Sequence, residues 1–435
     1  MKCARLYAKK VIAITWLASA VLLTVLLADC GGDSSMSNSG ASDAATVKNN
    51  SGASAASNVA TLTALHSFSG ADGWAPGAGL VADGNGDFIG TTIGGQGDSG
   101  TVFEITANGA FSTLYAFSGT DGYSPLSIVR GSDGNFYGTT TSGGAYGAGT
   151  IFRITPRGAL TTLYSFKGPD GYGPLALVLG SDGNFYGTTA AGGTTYVNSS
   201  TYAATGAGTV FKITASGALT TLYSFTGTDG YEPAVIALGN DGNLYGTTTF
   251  GGPAYVSTAT NAQGSGTIFE ITPSGALTTL YSFSGPSNYQ PTALVQGSDG
   301  NFYGTTYLGG VSSGDSSGMV FKLTPSGDLT VLHSFSGPDG LNAMSLIQGS
   351  DGNFYGTTAE GGSAFRNGGM SVGYGTIFRI TPSGELTTLS AFDGTDGDLP
   401  HGQLVDGSSG TFFGVTASGG VDGGGGTVFE LVTGS

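Results

Sequence analysis

Beyond residue 30 the chain carries three histidines, His66, His333 and His401, and no cysteine. Imidazole catalysis needs a carboxylate or a nucleophile within reach, and the grouping available here is His401 with Asp398 and the distant Glu232. A zinc centre would require His or Cys ligands at short spacing, and no such pair occurs. The recurrent Asp-Gly-Asn triplets and the acidic run Asp393, Asp396, Asp398 supply oxygens, but calcium wants several of them converging in one loop. No Asp-x-Asp-x-Asp-Gly series is present, so these acids are read as turn formers and no metal or cofactor is expected. A more regular signal is aromatic. Trp74, Tyr123, Tyr172, Tyr231 and Tyr289 stand at equivalent places, and Leu341 and Asp398 interrupt the series. Asp72, Asp121, Asp170, Asp229, Asp339 and Asp396 precede most of these positions. Rings flanked by carboxylates can hold sugars, by stacking on the apolar face and hydrogen bonding to hydroxyls. The competing reading is that each ring wedges between structural units while its Asp-Gly forms a turn, and the repetition favours that reading.

The elements that position these residues follow from internal repetition. Phenylalanine, tyrosine and glycine blocks recur with a spacing of 48 to 59 residues, their glycines falling at Gly90, Gly138, Gly187, Gly246, Gly304, Gly356 and Gly414. A Gly-Thr-Ile/Val-Phe block centres on Phe103, Phe152, Phe211, Phe269, Phe321, Phe378 and Phe429. A Leu-Tyr-Ser-Phe block ends at Phe68, Phe117, Phe166, Phe225, Phe283, Phe335 and Phe392. The period accommodates four short strands with their turns, the size of a propeller blade. In one repeat the strands are expected at residues 126–130, 136–140, 150–155 and 160–166, with Asp133-Gly134 making a hairpin turn. His66 and His333 replace the tyrosine of the fourth strand and read as packed strand residues, and the glycine of the second strand as a point of close approach by a neighbouring blade. A nucleophile elbow needs a strand-to-helix turn, which an all-β chain lacks.

The repetitive region opens with a lone fourth strand at residues 62–68 and ends with the first three strands of another unit, the last at 427–431. Joined, these fragments complete a blade and leave no large open edge. The chain is therefore expected to be all-β: a seven-bladed β-propeller of four-stranded blades, closed by an N-terminal outer strand. The signature Asp-Gly-Asn-Phe-Tyr-Gly-Thr-Thr, at 133–140, 182–189, 299–306 and 351–358, resembles the choice-of-anchor tandem-repeat family sometimes called GloVer. The resemblance covers residues 61–431 and implies extracellular bacterial proteins with varied anchors and no assigned activity.

Antiparallel topology sorts the connections onto two faces. One face has near-identical Ser-Asp-Gly-Asn and Thr-Pro-Ser-Gly turns. The other has loops between the second and third strands that vary widely, the long ones at 192–208, 251–266 and 361–375. Variable loops on a rigid scaffold are where binding concentrates, so this second face is the candidate surface, with Trp74, Tyr123, Tyr172, Tyr231, Tyr289, Asp398 and His401 as its candidate ligand residues.

Composition limits the partners. Glycine numbers 81 in 435 residues, only 10% are charged, and the net charge is −16. Without a Lys/Arg cluster beyond the first ten residues, nucleic acid is not expected as a partner. Lys2, Arg5, Lys9 and Lys10 precede an apolar run at 11–28, the layout of an export signal over residues 1–30. Leu27-Ala28-Asp29-Cys30 resembles a bacterial lipoprotein signal, with Asp29 departing from the small residue usual before the cysteine; Cys30 is the expected lipidation site, and a retained membrane anchor is the alternative. Residues 31–60, rich in Ser, Ala, Gly and Asn, read as a flexible tether to a single domain at 61–435. The expected product is a binding or adhesion propeller at the cell surface, for polysaccharide or protein; the alternative is a lyase or hydrolase working on an extracellular polymer at the same face.

Overall fold

The protein is described from a computed structural model covering residues 60–77, 79–95, 97–196, 206–255, 264–284, 289–310, 317–365, 372–407, 409–422 and 424–434. The expected export signal at 1–30, with Cys30, and most of the expected tether lie outside the described residues. Ala60–Thr433 form one compact unit.

Seven antiparallel sheets make up this unit, six of them built from consecutive strands and the seventh joining the first strand to the last three. Blade 2 shows the plan, with strands Tyr123–Arg130, Phe136–Ser142, Thr150–Ile154 and Leu160–Ser165 hydrogen-bonded in that order. The first strands of successive blades lie against each other and form the inner wall of the ring. The second strand is buried on both faces for its first five residues, whereas the outer strand leaves Thr161 and Thr162 in solvent. Burial on both sides selects the dense aromatic and β-branched run of the inner strands. Between blades 2 and 3, Tyr137, Ile151 and Phe166 on one side meet Leu177, Phe185 and Phe211 on the other. Equivalent clusters fill the other junctions, so the core is a ring of interblade layers.

Ring closure occurs as the repeat arithmetic requires. Strand Thr61–Ser67 pairs antiparallel with Thr427–Val432, Thr61 facing Val432 and Ser67 facing Thr427, with a bulge between Ala64 and His66. This strand completes the sheet whose inner members are Thr411–Ser418 and Asp398–Asp406.

Two local expectations change. The first strand of blade 2 starts at Tyr123, three residues earlier than the sequence suggests, because an irregularity between Pro125 and Ser127 lets it pair both above and below the break. The repeated glycine of the second strand is required by its own blade and not by a neighbour. A Cβ on Gly138 would lie 2.4 Å from the Phe152 ring and 2.5 Å from the Ser127 carbonyl, both in blade 2. The tip of the third-strand phenylalanine ring reaches the glycine, and that contact forbids a side chain.

Candidate functional site

Acids close turns on both faces. At the uniform turns, Asp133 Oδ1 accepts the Asn135 amide at 3.1 Å, while Oδ2 accepts Asn135 Nδ2 at 2.7 Å and the Tyr137 hydroxyl at 2.9 Å. Asp182, Asp241, Asp299 and Asp351 repeat the pattern, and Lys212 and Lys322 add ion pairs of 2.8 and 3.0 Å to Asp182 and Asp299. These carboxylates are occupied by turn chemistry. Blade 1 drifts here. One oxygen from each of Asp83, Asp87 and Glu104 falls within 4.8 Å of the others, the grouping among the described residues that is compact enough for a cation. Burial, then Asp87 and Asp83, raises the Glu104 carboxyl above its ordinary range. The cluster lies at the turn between the first and second strands, away from the variable loops.

At the opposite face the acids preceding the aromatic series also close turns. Asp229 accepts the Tyr223 hydroxyl at 2.6 Å and the Thr226 amide at 2.8 Å, and Tyr115–Asp121 and Tyr164–Asp170 repeat the pairing. His66 and His333 substitute for the tyrosine, with Nε2 at 2.8 Å from Asp72 and 2.7 Å from Asp339. His66 also stacks on Phe111 at 4.0 Å, the packed role expected of it.

The aromatic series is half-buried at the inner end of this face. Trp74, Tyr123, Tyr172 and Tyr231 each begin a first strand, whereas Tyr289 precedes one that starts at Pro291. Tyr172, Tyr231 and Tyr289 pack on interblade clusters. Tyr231 stacks with Tyr255 at 5.9 Å and Tyr289 with Phe283 at 5.3 Å. Burial raises the Tyr231 hydroxyl above its ordinary pKa, as do Glu232 and Tyr255 nearby.

His401 and Asp398 occupy the first strand of blade 7, and Glu232 that of blade 4. His401 is 3% exposed, with Pro76 O in blade 1 at 2.5 Å from Nε2 and Leu399 O at 3.3 Å from Nδ1. Burial depresses its pKa, so the ring is neutral and donates to Pro76. Thr292 does the same between blades 5 and 6, its hydroxyl donating to Ala343 O at 2.7 Å. His401 is thus an interblade clamp. Asp398 is 6% exposed and accepts the Ser418 hydroxyl at 3.1 Å.

Two features of this face were missed in the sequence. First, the three long loops are rooted by aromatic residues: Tyr196, Tyr255 and Phe365 lie over Gly168, Gly227 and Gly337, so closely that a Cβ on each glycine would come within 2.5 Å of the ring. The signal was readable, since each ring follows a Gly-Gly pair by three residues. In blade 2 the ring comes one residue sooner, and Tyr146 stands 62% exposed with Lys167 Nζ 5.5 Å from its centre. Second, the residue after each of the five aromatics, and after Leu341 and Asp398 at the equivalent places, is left-handed, with φ of 48° at Ala75, 54° at Ser124, 63° at Gly173, 59° at Glu232, 52° at Gln290, 59° at Asn342 and 58° at Leu399. For a residue with a side chain this costs roughly 1–3 kcal/mol. The twist aims the amide at the preceding blade: Ser124 N donates to Ser99 O at 3.0 Å, Glu232 N to Ala207 O at 2.9 Å and Asn342 N to Ser317 O at 2.8 Å.

Comparison with known proteins places this geometry. Residues 36–260 and 251–435 match the profile of the Gloeobacter/Verrucomicrobia repeat. No curated protein matches the chain. Among solved structures, a catalytically inactive virginiamycin B lyase from Staphylococcus aureus, determined with quinupristin, is similar in fold. It has 18% identity and a TM-score of 0.59, over 86% of this chain and 99% of that one. A periplasmic gluconolactonase from Pseudomonas aeruginosa is more distant, at 15% identity and a TM-score of 0.48 over 73% of this chain and 85% of that one.

Proposed function

This chain belongs to the Gloeobacter/Verrucomicrobia repeat family, and from that premise we propose that it is an exported binding propeller, tethered through Cys30, whose variable-loop face takes an extracellular polysaccharide or protein. The observation that carries the reading is the asymmetry between the faces. One is uniform and its acids are occupied in turns; the other presents long loops whose roots are pinned by Tyr196, Tyr255 and Phe365. Rigid roots supporting divergent loops lower the ordering cost of binding. A lyase or hydrolase built on His401 is the weaker reading, because the ring is 3% exposed and its Nε2 is held by the Pro76 carbonyl.

The test is a binding screen of the full chain against cell-wall polymers, glycans and extracellular proteins. Tyr146→Ala removes an exposed ring and is expected to leave the melting curve unchanged while weakening any ligand that the loop face holds there. Tyr231→Ala is expected to cost about 2 kcal/mol of stability, because its half-buried ring packs on an interblade cluster. Binding that survives deletion of the variable loops would refute the assignment of the face.

A further inference from the structure

A chain arriving from an anchor must join the propeller at one of its two faces, and the closing strand fixes which. Thr61 pairs with Val432 at one end of the blade 7 sheet. Thr433, the next residue, donates from its N and its Oγ1 to Gly410 O at 2.8 and 2.9 Å, in the uniform turn of that blade. At its other end the closing strand reaches the variable loop of the same blade, where a Cβ on Gly420 would stand 3.0 Å from Ser67 Oγ. The chain therefore enters the ring at the uniform face and runs toward the variable one.

The entry point is held in place. In blades 1 to 6 the third and fourth strands are joined by a turn whose glycine lies against a carbonyl of the preceding blade's outer strand. A Cβ on Gly158 would come 2.5 Å from Leu114 O, one on Gly217 2.7 Å from Leu163 O, and one on Gly384 2.8 Å from Leu332 O. Blade 7 lacks such a turn, because its fourth strand is the first of the chain. Ala60 and Leu62 pack there on the cluster between blades 6 and 7. Ala60 thus takes the rim position of a seventh turn, on the uniform side.

Length and charge favour one orientation on a surface. The second strand of blade 2 has 7 residues, which puts the two faces about 24 Å apart at about 3.4 Å per residue. Residues 31–60 as a random coil reach roughly 30 Å, so turning the variable loops toward the anchor would spend most of that reach in running back along a blade. Charge acts in the same sense. Lys167 is the one Lys or Arg among the described residues at the variable-loop end, beside Asp72, Asp121, Asp170, Asp229 and Asp339. Arg130, Arg153, Arg157, Lys212, Lys322 and Arg379 all lie at or toward the uniform turns. An anionic bilayer repels the acidic variable-loop end more strongly.

We infer that the uniform-turn face is the membrane-proximal side of the anchored protein, and that the variable-loop face is presented away from the bilayer. Its ligand is then carried by the medium or by an opposing surface, and not by the membrane that holds the protein. This inference rests on the tether of the proposed function and adds which face meets the lipid surface.

Energy transfer to a lipid-borne acceptor tests it, on the full chain produced through its export segment and reconstituted in vesicles of phosphatidylethanolamine and phosphatidylglycerol. Arg157→Cys and Tyr146→Cys place a maleimide dye at the two ends of blade 2, both at exposed positions, with the parent's signal subtracted. Transfer from the Arg157 position is expected to exceed that from the Tyr146 position about twofold or more, given roughly 24 Å between the faces. Val421→Cys, 74% exposed in the variable loop of blade 7, replaces Tyr146→Cys if that variant misfolds. Equal transfer from the two ends, or greater transfer from the Tyr146 end, overturns the orientation and leaves the tether standing. Retention of Cys30→Ser in the membrane refutes the lipid alone, and the same pair of dyes still decides the orientation, since either anchor joins the ring at Ala60. A chain that never enters the membrane fraction overturns the tether and the orientation together.

Discussion

The closing strand makes the sharpest demand on the fold, and Phe68→Ala measures it. Phe68 is 0% exposed, and its amide donates to Gly426 O at 2.9 Å. Its ring meets Phe103 edge-on at 5.3 Å and Phe111 at 5.6 Å, within a cluster that joins blade 7 to blade 1. A buried phenylalanine removes roughly 150–250 Å² from water, about 4–6 kcal/mol at 25 cal/mol per Å² before the retained methyl is subtracted. Large-to-small substitutions at such sites cost about 3–5 kcal/mol, and about 4 is expected here. Phe225 is the control, equally buried and edge-on to Phe269 at 5.3 Å, but midway round the ring. Urea denaturation of both variants is expected to show similar losses. Hydrogen exchange then separates them. In Phe68→Ala the partner strand Thr427–Val432 should exchange much faster, because the strand Thr61–Ser67 that covers its edge loses the buried ring that anchors it. In Phe225→Ala that strand should stay protected. A loss below about 1 kcal/mol, or unchanged exchange at Thr427–Val432, would refute closure by this strand.

Three other outcomes are expected. Gly138→Ala forces a Cβ into the Phe152 ring and should destabilise by about 3 kcal/mol in a urea melt; a cost below about 1 would show that the ring can move aside. His401 is held neutral with its pKa below the ordinary 6.5, while the unfolded imidazole titrates at that value. Its contribution is therefore complete above about pH 6.5 and lost as pH falls below it, by up to about 1.4 kcal/mol per pH unit; His401→Gln should flatten that part of the stability–pH curve, and an unchanged slope would assign it elsewhere. Cys30→Ser should move the protein from the membrane fraction to the soluble fraction, whereas retention with an intact N-terminus would make residues 11–28 a permanent anchor.

Residue type and spacing carried the blade count, the closing strand and the turn role of the Asp-Gly-Asn acids, because each rests on short-range chemistry repeated at a readable period. The aromatic series was also legible by position. Repetition favoured wedging between units over an open platform, while which side of each ring meets solvent depends on the adjoining blade. The same holds for His401: as a sequence it stood near Asp398, and only the junction with blade 1 gave its Nε2 the Pro76 carbonyl, from a residue more than three hundred positions away. The left-handed ring was invisible for a deeper reason. Ser and Glu do not announce positive φ, and Ser124 and Glu232 adopt it with an amide hydrogen bond to the preceding blade that offsets the local strain. Sequence alone therefore determined how many blades there are and how they close; the roles of His401 and of the left-handed residues were decided by contacts between blades that are distant or unmarked in the sequence.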